Sequence, residues 1–351
     1  MADKLRVGVV GLGLWGQNHP LVYADYHRCE LAVVCDLDED RARAFGETYR
    51  CDWTTDVGEL AASDVTAFSV ATPDHAHFAP AMTLLRAGKH VLIEKPMTTD
   101  VGEAKALARA ARESGALGMV DFHLRWSPQY LTVKAMAEAG ELGEAVMGYI
   151  RLSDAIQVAQ NWLSWAGRSG PQWFLFPHTM DLMRWILDAD PVDVYAVGRK
   201  GLLASQGVDT WDAIQALVRF PASFVTFETS WIVPDSSPSV IDCHMSLYGT
   251  AGKVEYDQDY AGLEIATDRF SYPWMPVGQR NRYGKLDSFL YEPMRHFVDC
   301  VAEGRQPSCS LEDGVVNTAM IAATMRSVET GQRVSIADLL ADDGPGSGPR
   351  A

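Results

Sequence analysis

Lys4–Gly16 reads KLRVGVVGLGLWG, an apolar run that breaks into glycines at positions 11, 13 and 16. A short valine-rich run bounded by glycines reads as a buried strand, Leu5–Val10, entering a tight turn. The spacing G-x-G-x-x-G lets a pyrophosphate approach bare backbone and lets a helix pack closely on the strand. The following helix then offers unpaired N–H groups and its positive dipole end to phosphate. Gly11, Gly13, Leu14, Trp15 and Gly16 are therefore the expected phosphate cradle. A second apolar run, Leu31–Cys35, ends at Asp36, about 20 residues past the last glycine, where an acid accepts from the adenosine ribose. Asp36 would repel a 2′-phosphate, and Leu37, Asp38 and Glu39 include no arginine to bind one. The reading is NAD rather than NADP. An ordinary strand–turn–helix with a helix-capping Asp would share these residues.

Working outward, strands alternate with helices through residue 122. Trp15–Arg28 reads as the first helix, with Pro20 expected to kink it or break its first turn because proline lacks the N–H that would bond back to Gly16. Arg41–Tyr49, His75–Ala87 and the run capped by Asp100 and ended at Ser114 read as helices. Asp64–Ala71, His90–Glu94 and Leu117–Phe122 read as strands. This alternation implies an α/β Rossmann fold, a doubly wound parallel sheet, over residues 1–122. Ligands on such sheets lie beyond the carboxyl ends of the strands.

Past Pro128 the pattern changes. After a helix at Tyr130–Ala139, alternating runs at 145–152, 192–199, 213–220, 223–232, 241–248 and 253–256 read as half-buried antiparallel strands. One helix interrupts them near His178–Leu187. The expectation is an α+β domain over 123–340 built on a large, mostly antiparallel, open-faced sheet. Its last helices, within about 289–330, are expected to pack back on the first domain. The apolar area of an open face predicts a homo-oligomer, a dimer or tetramer. The Gly/Pro-rich end, DDGPGSGPRA, predicts a disordered tail over 341–351.

The 351 residues carry 46 acids against 30 bases, a net charge of −16, which disfavours nucleic acid and anionic membrane as partners. The six cysteines (Cys29, Cys35, Cys51, Cys243, Cys300 and Cys309) have no metal spacing, so no metal is expected and a reducing cytoplasm fits. The start, MADKLRVG, has no signal-peptide apolar region, and no stretch is long enough to span a bilayer.

Five motifs in order resemble the Gfo/Idh/MocA family of NAD(P)-dependent oxidoreductases of sugars and cyclitols. They are Glu94-Lys95-Pro96 at a strand end, ATPDHAHF at 71–78, HLRWSP at 123–128, HTMD at 178–181, and SLEDGVVNTAMIAATMRSVETGQRVSI near the C-terminus. The resemblance spans nearly the whole chain. It implies catalytic roles for Lys95 and His178. It also implies cofactor contacts from Ala71, Thr72, His75, Glu94, Lys95, Pro96, His123 and Trp162, the last resembling a family tryptophan that lies against the nicotinamide. Lys95, His123, Asn161, Trp165, Phe174, His178 and Asp181 are the candidate substrate residues.

Chemistry supports the two catalytic assignments independently. Oxidising a secondary alcohol needs the carbon held against a nicotinamide and a base at the hydroxyl. A lysine at a strand's carboxyl end, partly desolvated beside a cationic ring, can act as that base near neutral pH. The competing readings are a surface lysine and a buried structural histidine. The chain departs from the family pattern in one respect: the acid usual four residues before the histidine is replaced by Phe174. Asp181, three residues after His178, is either an orienter of the imidazole or a structural partner elsewhere. Trp162, Trp165, Trp173, Phe174 and Phe176 form either an aromatic sugar-binding wall or core packing. Gln157 is a further hydroxyl-binding candidate, Arg125 an anchor behind the site, and Tyr283 a weak one. Asp209, Thr210 and Asp212 either reach the substrate or form a turn.

The sequence therefore predicts an NAD-dependent dehydrogenase that oxidises a ring hydroxyl of a sugar, cyclitol or sugar conjugate to a ketone. Its acidity invites an amino sugar or aminoglycoside intermediate as substrate. The alternative is an NAD-binding sensor without turnover.

Overall fold

The computed structural model describes residues 4–258, 265–266, 270–271, 281 and 283–341. The tail expected to be disordered lies outside the described residues, apart from Ala341.

The first sheet contains β1 (Leu5–Val10), β2 (Cys29–Cys35), β3 (Asp52–Thr54), β4 (Ala67–Val70), β5 (His90–Ile93) and β6 (Gly118–Val120). Their order is β3-β2-β1-β4-β5-β6, and every pairing is parallel. Val7, Val9 and Val10 of β1 are buried, as expected for a strand covered on both faces. Gly8 lies against the Phe68 ring, so that a Cβ there would stand 2.6 Å from Phe68 Cδ1. Ladder bonds continue one residue past the strand ends: Gly11 N to Cys35 O at 2.8 Å, Ala71 N to Val10 O at 2.8 Å, Glu94 N to Val70 O at 2.9 Å and Asp121 N to Ile93 O at 2.8 Å. These bonds bring Gly11, Ala71, Glu94 and Asp121 to one edge.

Two local readings need correction. The first helix is Asn18–Asp25, preceded by a turn rather than starting at Trp15. Pro20 falls in the first turn of the observed helix, where no N–H partner exists to be lost, and residues 14–17 before it form a non-helical turn, which agrees with the expected broken first turn. The three-residue β3 and the helix Val57–Ala62 were not foreseen.

The second sheet contains β7 (Ala145–Asp154), β8 (Asp193–Arg199), β9 (Ala213–Arg219), β10 (Phe224–Ser230), β11 (Ile241–Gly249) and β12 (Lys253–Asp257). β13 (Ile265–Ala266) and β14 (Phe270–Ser271) pair separately, and β15 (Val334–Ser335) joins the edge beside β8. The order is β12-β11-β7-β10-β9-β8-β15, antiparallel except for β7 with β10. One face packs Ile214, Ala216, Val218, Val225 and Phe227 against Phe176, Met180 and Met183 of the helix Phe176–Leu187 and Met320 of the helix Leu311–Thr330. Each such fully buried Leu, Met or Phe contributes about 1.5–3 kcal/mol before entropy is counted. On the other face, Met147 sits opposite Phe224 and Tyr195 opposite Leu217, all exposed.

Leu290, Tyr291, Met294, Phe297 and Val298, in the turn Phe289–Tyr291 and the helix Glu292–Glu303, join the core beneath the first sheet. No helix among the described residues is long and apolar enough to cross a membrane. All six cysteines are free.

Candidate active site

Gly11 has φ +92°, and a Cβ there would meet the Ala71 carbonyl carbon at 2.7 Å, so the turn requires glycine. At Gly13 a Cβ would meet nothing within 4 Å, leaving the backbone open on that side. The amides of Gly13, Leu14 and Trp15 donate to no acceptor among the described residues. Free amides beside an open glycine, ahead of a helix, suit a pyrophosphate. Asp36 closes the turn: Oδ2 accepts from Leu12 N at 2.8 Å, and Oδ1 accepts from Asp38 N at 3.0 Å and Arg41 Nη1 at 3.1 Å. A dinucleotide therefore fits the residues present. Arg41 escaped the sequence reading as a partner of Asp36 because it lies five residues beyond it, in the first turn of the helix Glu39–Tyr49.

At the next strand ends, buried groups converge. Glu94 Oε1 accepts from Trp15 Nε1 at 2.8 Å and faces His19 Nε2 at 3.1 Å. The neighbouring His19 hydrogen bond and charge outweigh burial and hold the Glu94 carboxyl down at about 2. Beside it lies Asp121, fully buried, with neither oxygen receiving a hydrogen bond from a donor among the described residues. His19 Nε2, Glu94 and Asp121 place one ligand atom each within 4.8 Å of one another. Burial, then the Glu94 charge, pushes the Asp121 carboxyl well above the usual carboxylate range, which favours its neutral form. A cationic ligand is not needed to explain the cluster.

Lys95 follows, ahead of a cis peptide to Pro96. Its Nζ donates to the Phe174 carbonyl at 3.0 Å and stands 4.0 Å from the Phe174 ring centre. Burial pushes the ammonium down, and Glu94, Asp74, Asp154 and Asp121 pull it back up. His77 ties the two loops together, with its ring nitrogens 2.7 Å from the carbonyl oxygens of Pro96 and Thr72. The Thr72 hydroxyl is buried without a partner among the described residues.

From the second domain, the helix Phe176–Leu187 delivers His178, 7% exposed, with its ring centre 4.6 Å from that of His123. His123 in turn lies 5.7 Å from the Trp15 ring. Burial, then Lys95 and His123, drives the His178 imidazole well below its usual range, so it is neutral and Nδ1 has no partner among the described residues. Burial also lowers His123 to about 4. Lys95, His123 and His178 thus share one site between the domains, with Phe174 against the lysine.

Asp181 is placed differently. Arg125 Nε donates to Oδ2 at 2.8 Å and Nη2 to Oδ1 at 2.5 Å, which occupies both oxygens. Asp181 therefore neither orients His178 nor faces a substrate; the guanidinium from the interdomain turn draws it away. Trp165 stands 6.0 Å from Phe174 and 6.4 Å from His75, forming one aromatic row. Asn161 and Trp162 lie in the π-turn Val158–Trp162, and Trp162 is 48% exposed. Asp212 accepts from the amides of Leu202 and Leu203, and Asp209 pairs with Lys200. These are turn roles. Tyr283 is exposed.

Sequence reading also missed Asp154. It ends β7 and is 4% exposed, with Oδ2 accepting from Trp231 Nε1 at 3.3 Å. The available signal was its phase. Gly148, Ile150, Leu152 and Asp154 are all buried, so the acid continues the inward face.

The Gfo/Idh/MocA family model, described as an oxidoreductase family with an NAD-binding Rossmann fold, matches residues 5–122, and the family's C-terminal domain matches 130–255. Inositol 2-dehydrogenase of Rhizobium meliloti (strain 1021) is 25% identical over 338 residues, covering 95% of this chain and 99% of its own. Two solved structures share the fold. GenD2 from gentamicin A biosynthesis in complex with NAD has a TM-score of 0.82 at 24% identity, covering 95% of this chain and 97% of its own. The scyllo-inositol dehydrogenase of Lactobacillus casei has a TM-score of 0.81 at 18% identity, covering 95% and 100%. With its parallel six-stranded sheet, its open glycine turn and both family domains matched in order, this chain belongs to the Gfo/Idh/MocA family of NAD-binding oxidoreductases.

Proposed function

We propose that the chain oxidises a ring secondary hydroxyl of a sugar, cyclitol or sugar conjugate to a ketone, with NAD as hydride acceptor. One observation carries the reading: Lys95 and His178 enter the same buried site from separate domains, at the strand ends where the glycine turn also opens. Bound NAD supplies the hydride acceptor. Gly13, Leu14 and Trp15 hold the pyrophosphate, and Asp36 the adenosine ribose. Lys95, its ammonium disfavoured by burial, takes the hydroxyl proton at Nζ. The neutral His178 hydrogen-bonds the same oxygen and fixes its orientation. Trp165, Phe174 and His75 form a wall that suits the apolar face of a ring.

The relatives named for inositol support a polyol substrate. An amino sugar is the narrower reading, favoured by the acids Glu94, Asp74 and Asp154 that act on Lys95 and by the GenD2 likeness. The open sheet face supports a homo-oligomer. The test is Lys95→Ala assayed by reduced-nicotinamide absorbance across neutral and amino polyols. Turnover falls by about 10²-fold or more, while NADH binding, read by fluorescence, persists. Unchanged turnover refutes the mechanism, and activity confined to neutral polyols refutes the amino-sugar reading.

A further inference from the structure

The chain breaks its helix just ahead of His178, and the break frees a carbonyl. Pro171–Phe174 forms one short helix and Phe176–Leu187 the next. In an unbroken helix the Phe174 carbonyl would accept from the amide four residues on, at His178. Here His178 N donates to the Leu175 carbonyl instead, at 3.1 Å. The donor three residues on is missing too, because position 177 is proline. Among the described residues no backbone amide takes the Phe174 carbonyl. Lys95 takes it, with Nζ donating at 3.0 Å. The same residue lays its ring against the amine, with 4.0 Å between Nζ and the ring centre. Trp165 and Trp231 hold that ring on either hand, at 6.0 and 5.7 Å between ring centres, and Trp231 is wholly buried.

We propose that Phe174 is the positioning residue for the Lys95 amine: its carbonyl takes one N–H, its ring face takes a second, and the nitrogen lone pair is left free for the substrate's hydroxyl. This rests on the dehydrogenase reading above.

The stereochemistry follows from the amine itself. In its neutral form Nζ carries two N–H bonds and one lone pair. A carbonyl oxygen and the negative face of an aromatic ring both attract N–H and repel a lone pair. With both of these on the Phe174 side, the lone pair points away from that residue. The step it serves balances. The substrate O–H bond breaks and its proton joins the Nζ lone pair, giving the ammonium, while the C–H electron pair reduces NAD and leaves a ketone.

Nothing else holds the nitrogen. Among the described residues the Phe174 carbonyl is the only hydrogen-bond acceptor of Nζ, and no carboxylate forms an ion pair with it. The titratable groups around Lys95 are Glu94 beside it, Asp74, Asp121 and Asp154 from three other elements, and His123 and His178. Glu94 is committed to Trp15 and His19, Asp74 to Ser169 and the His75 amide, and Asp154 to Trp231. A carboxylate in contact would favour the ammonium strongly; a neutral carbonyl and a ring fix the nitrogen's place and favour it less. Burial then lowers the proton affinity of Lys95 below that of an ordinary lysine.

The experiment compares full-length wild type with Phe174→Leu, Phe174→Tyr and Phe174→Asp, on a polyol that the wild type oxidises. Phe174→Leu keeps the carbonyl and loses the ring. Its kcat should fall about tenfold at every pH, and Phe174→Tyr should recover most of that. Phe174→Asp sets a carboxylate against the ammonium, so the acid limb of kcat should move up by about one pH unit or more, with the rate recovering above it. NADH affinity should stay within about twofold in all three. A second readout needs no substrate: carbon-13 NMR of the lysine ε-carbons, with Lys95 assigned by its loss in Lys95→Ala, should show the same upward move in Phe174→Asp. A Phe174→Leu variant that raises KM at unchanged kcat makes Phe174 a pocket wall only and overturns the proposal. So does a Phe174→Asp variant whose Lys95 titrates as in the wild type. Both results leave the dehydrogenase reading intact. A wild type that oxidises no polyol overturns that reading, while the lysine titration still decides whether Phe174 governs the amine.

Discussion

Replacing Asp181 by Asn separates two roles for one carboxylate. In the structure, Asp181 and Arg125 form a buried two-point pair, and Arg125 also donates to Ser308 O at 2.6 Å and lies 3.5 Å from Asp313. Removing one partner of a buried pair strands the other charge, at a cost of about 3–5 kcal/mol. Asp313 remains near Arg125 and offsets part of this, so the lower half of the range, about 3–4 kcal/mol, is expected. For a chain of 351 residues, about 2 °C per kcal/mol is appropriate, a fall in Tm of about 6–8 °C. Thermal melts followed by tryptophan fluorescence read the loss, and kcat at 25 °C reads catalysis on the folded fraction. The expected pattern is a large fall in Tm with kcat within about threefold. Arg125→Met with Asp181→Leu should recover most of the loss, because an apolar pair carries no desolvation cost. A variant with unchanged Tm and a 10²-fold slower kcat would falsify this account and return Asp181 to His178.

Other outcomes follow from the same geometry. Gly11→Ala forces a side chain against the Ala71 carbonyl at positive φ, which should weaken NADH binding about tenfold or more for about 1–2 kcal/mol of strain; an unchanged Kd by fluorescence titration refutes the cradle. Asp121 holds its proton more tightly in the folded chain than in the unfolded one, so its stabilising contribution is complete below about pH 4 and declines as pH rises. Asp121→Asn should therefore gain stability over wild type at pH 8 relative to pH 5 in urea melts; an equal difference at both pH values contradicts the assignment. Leu217→Asp with Phe224→Asp, on the exposed sheet face, should convert an oligomer to a monomer by light scattering; a monomeric wild type removes the interface reading.

The Rossmann half was legible because its signals are local: valines, glycines and an acid at fixed spacing, in sequence order. The second domain was legible as alternation, which reports burial of one sheet face. What escaped depended on neighbours far along the chain. His19 sits in a helix that reveals nothing of Glu94, and Asp121 gains its meaning only when β6 lies beside β5. Asp154 was lost by ending β7 at Leu152, two residues early. Asp181 showed that three residues of helical spacing place a carboxylate near an imidazole without saying which cation claims it. β3, three residues long, carries too little pattern to read.

The hydrogen bonds of Asp36 bear on cofactor engineering. Exchanging an acid at this position is the obvious route to a chain that accepts the phosphorylated dinucleotide. Here that acid also anchors the Leu12 amide and the start of the next helix, so its removal would loosen the diphosphate seat while relieving the repulsion. Arg41, already in reach and half exposed, is the safer place to begin a redesign: Asp38→Asn removes one of its two carboxylate partners, keeps an oxygen to cap the helix, and leaves the Asp36 bonds that latch the loop in place.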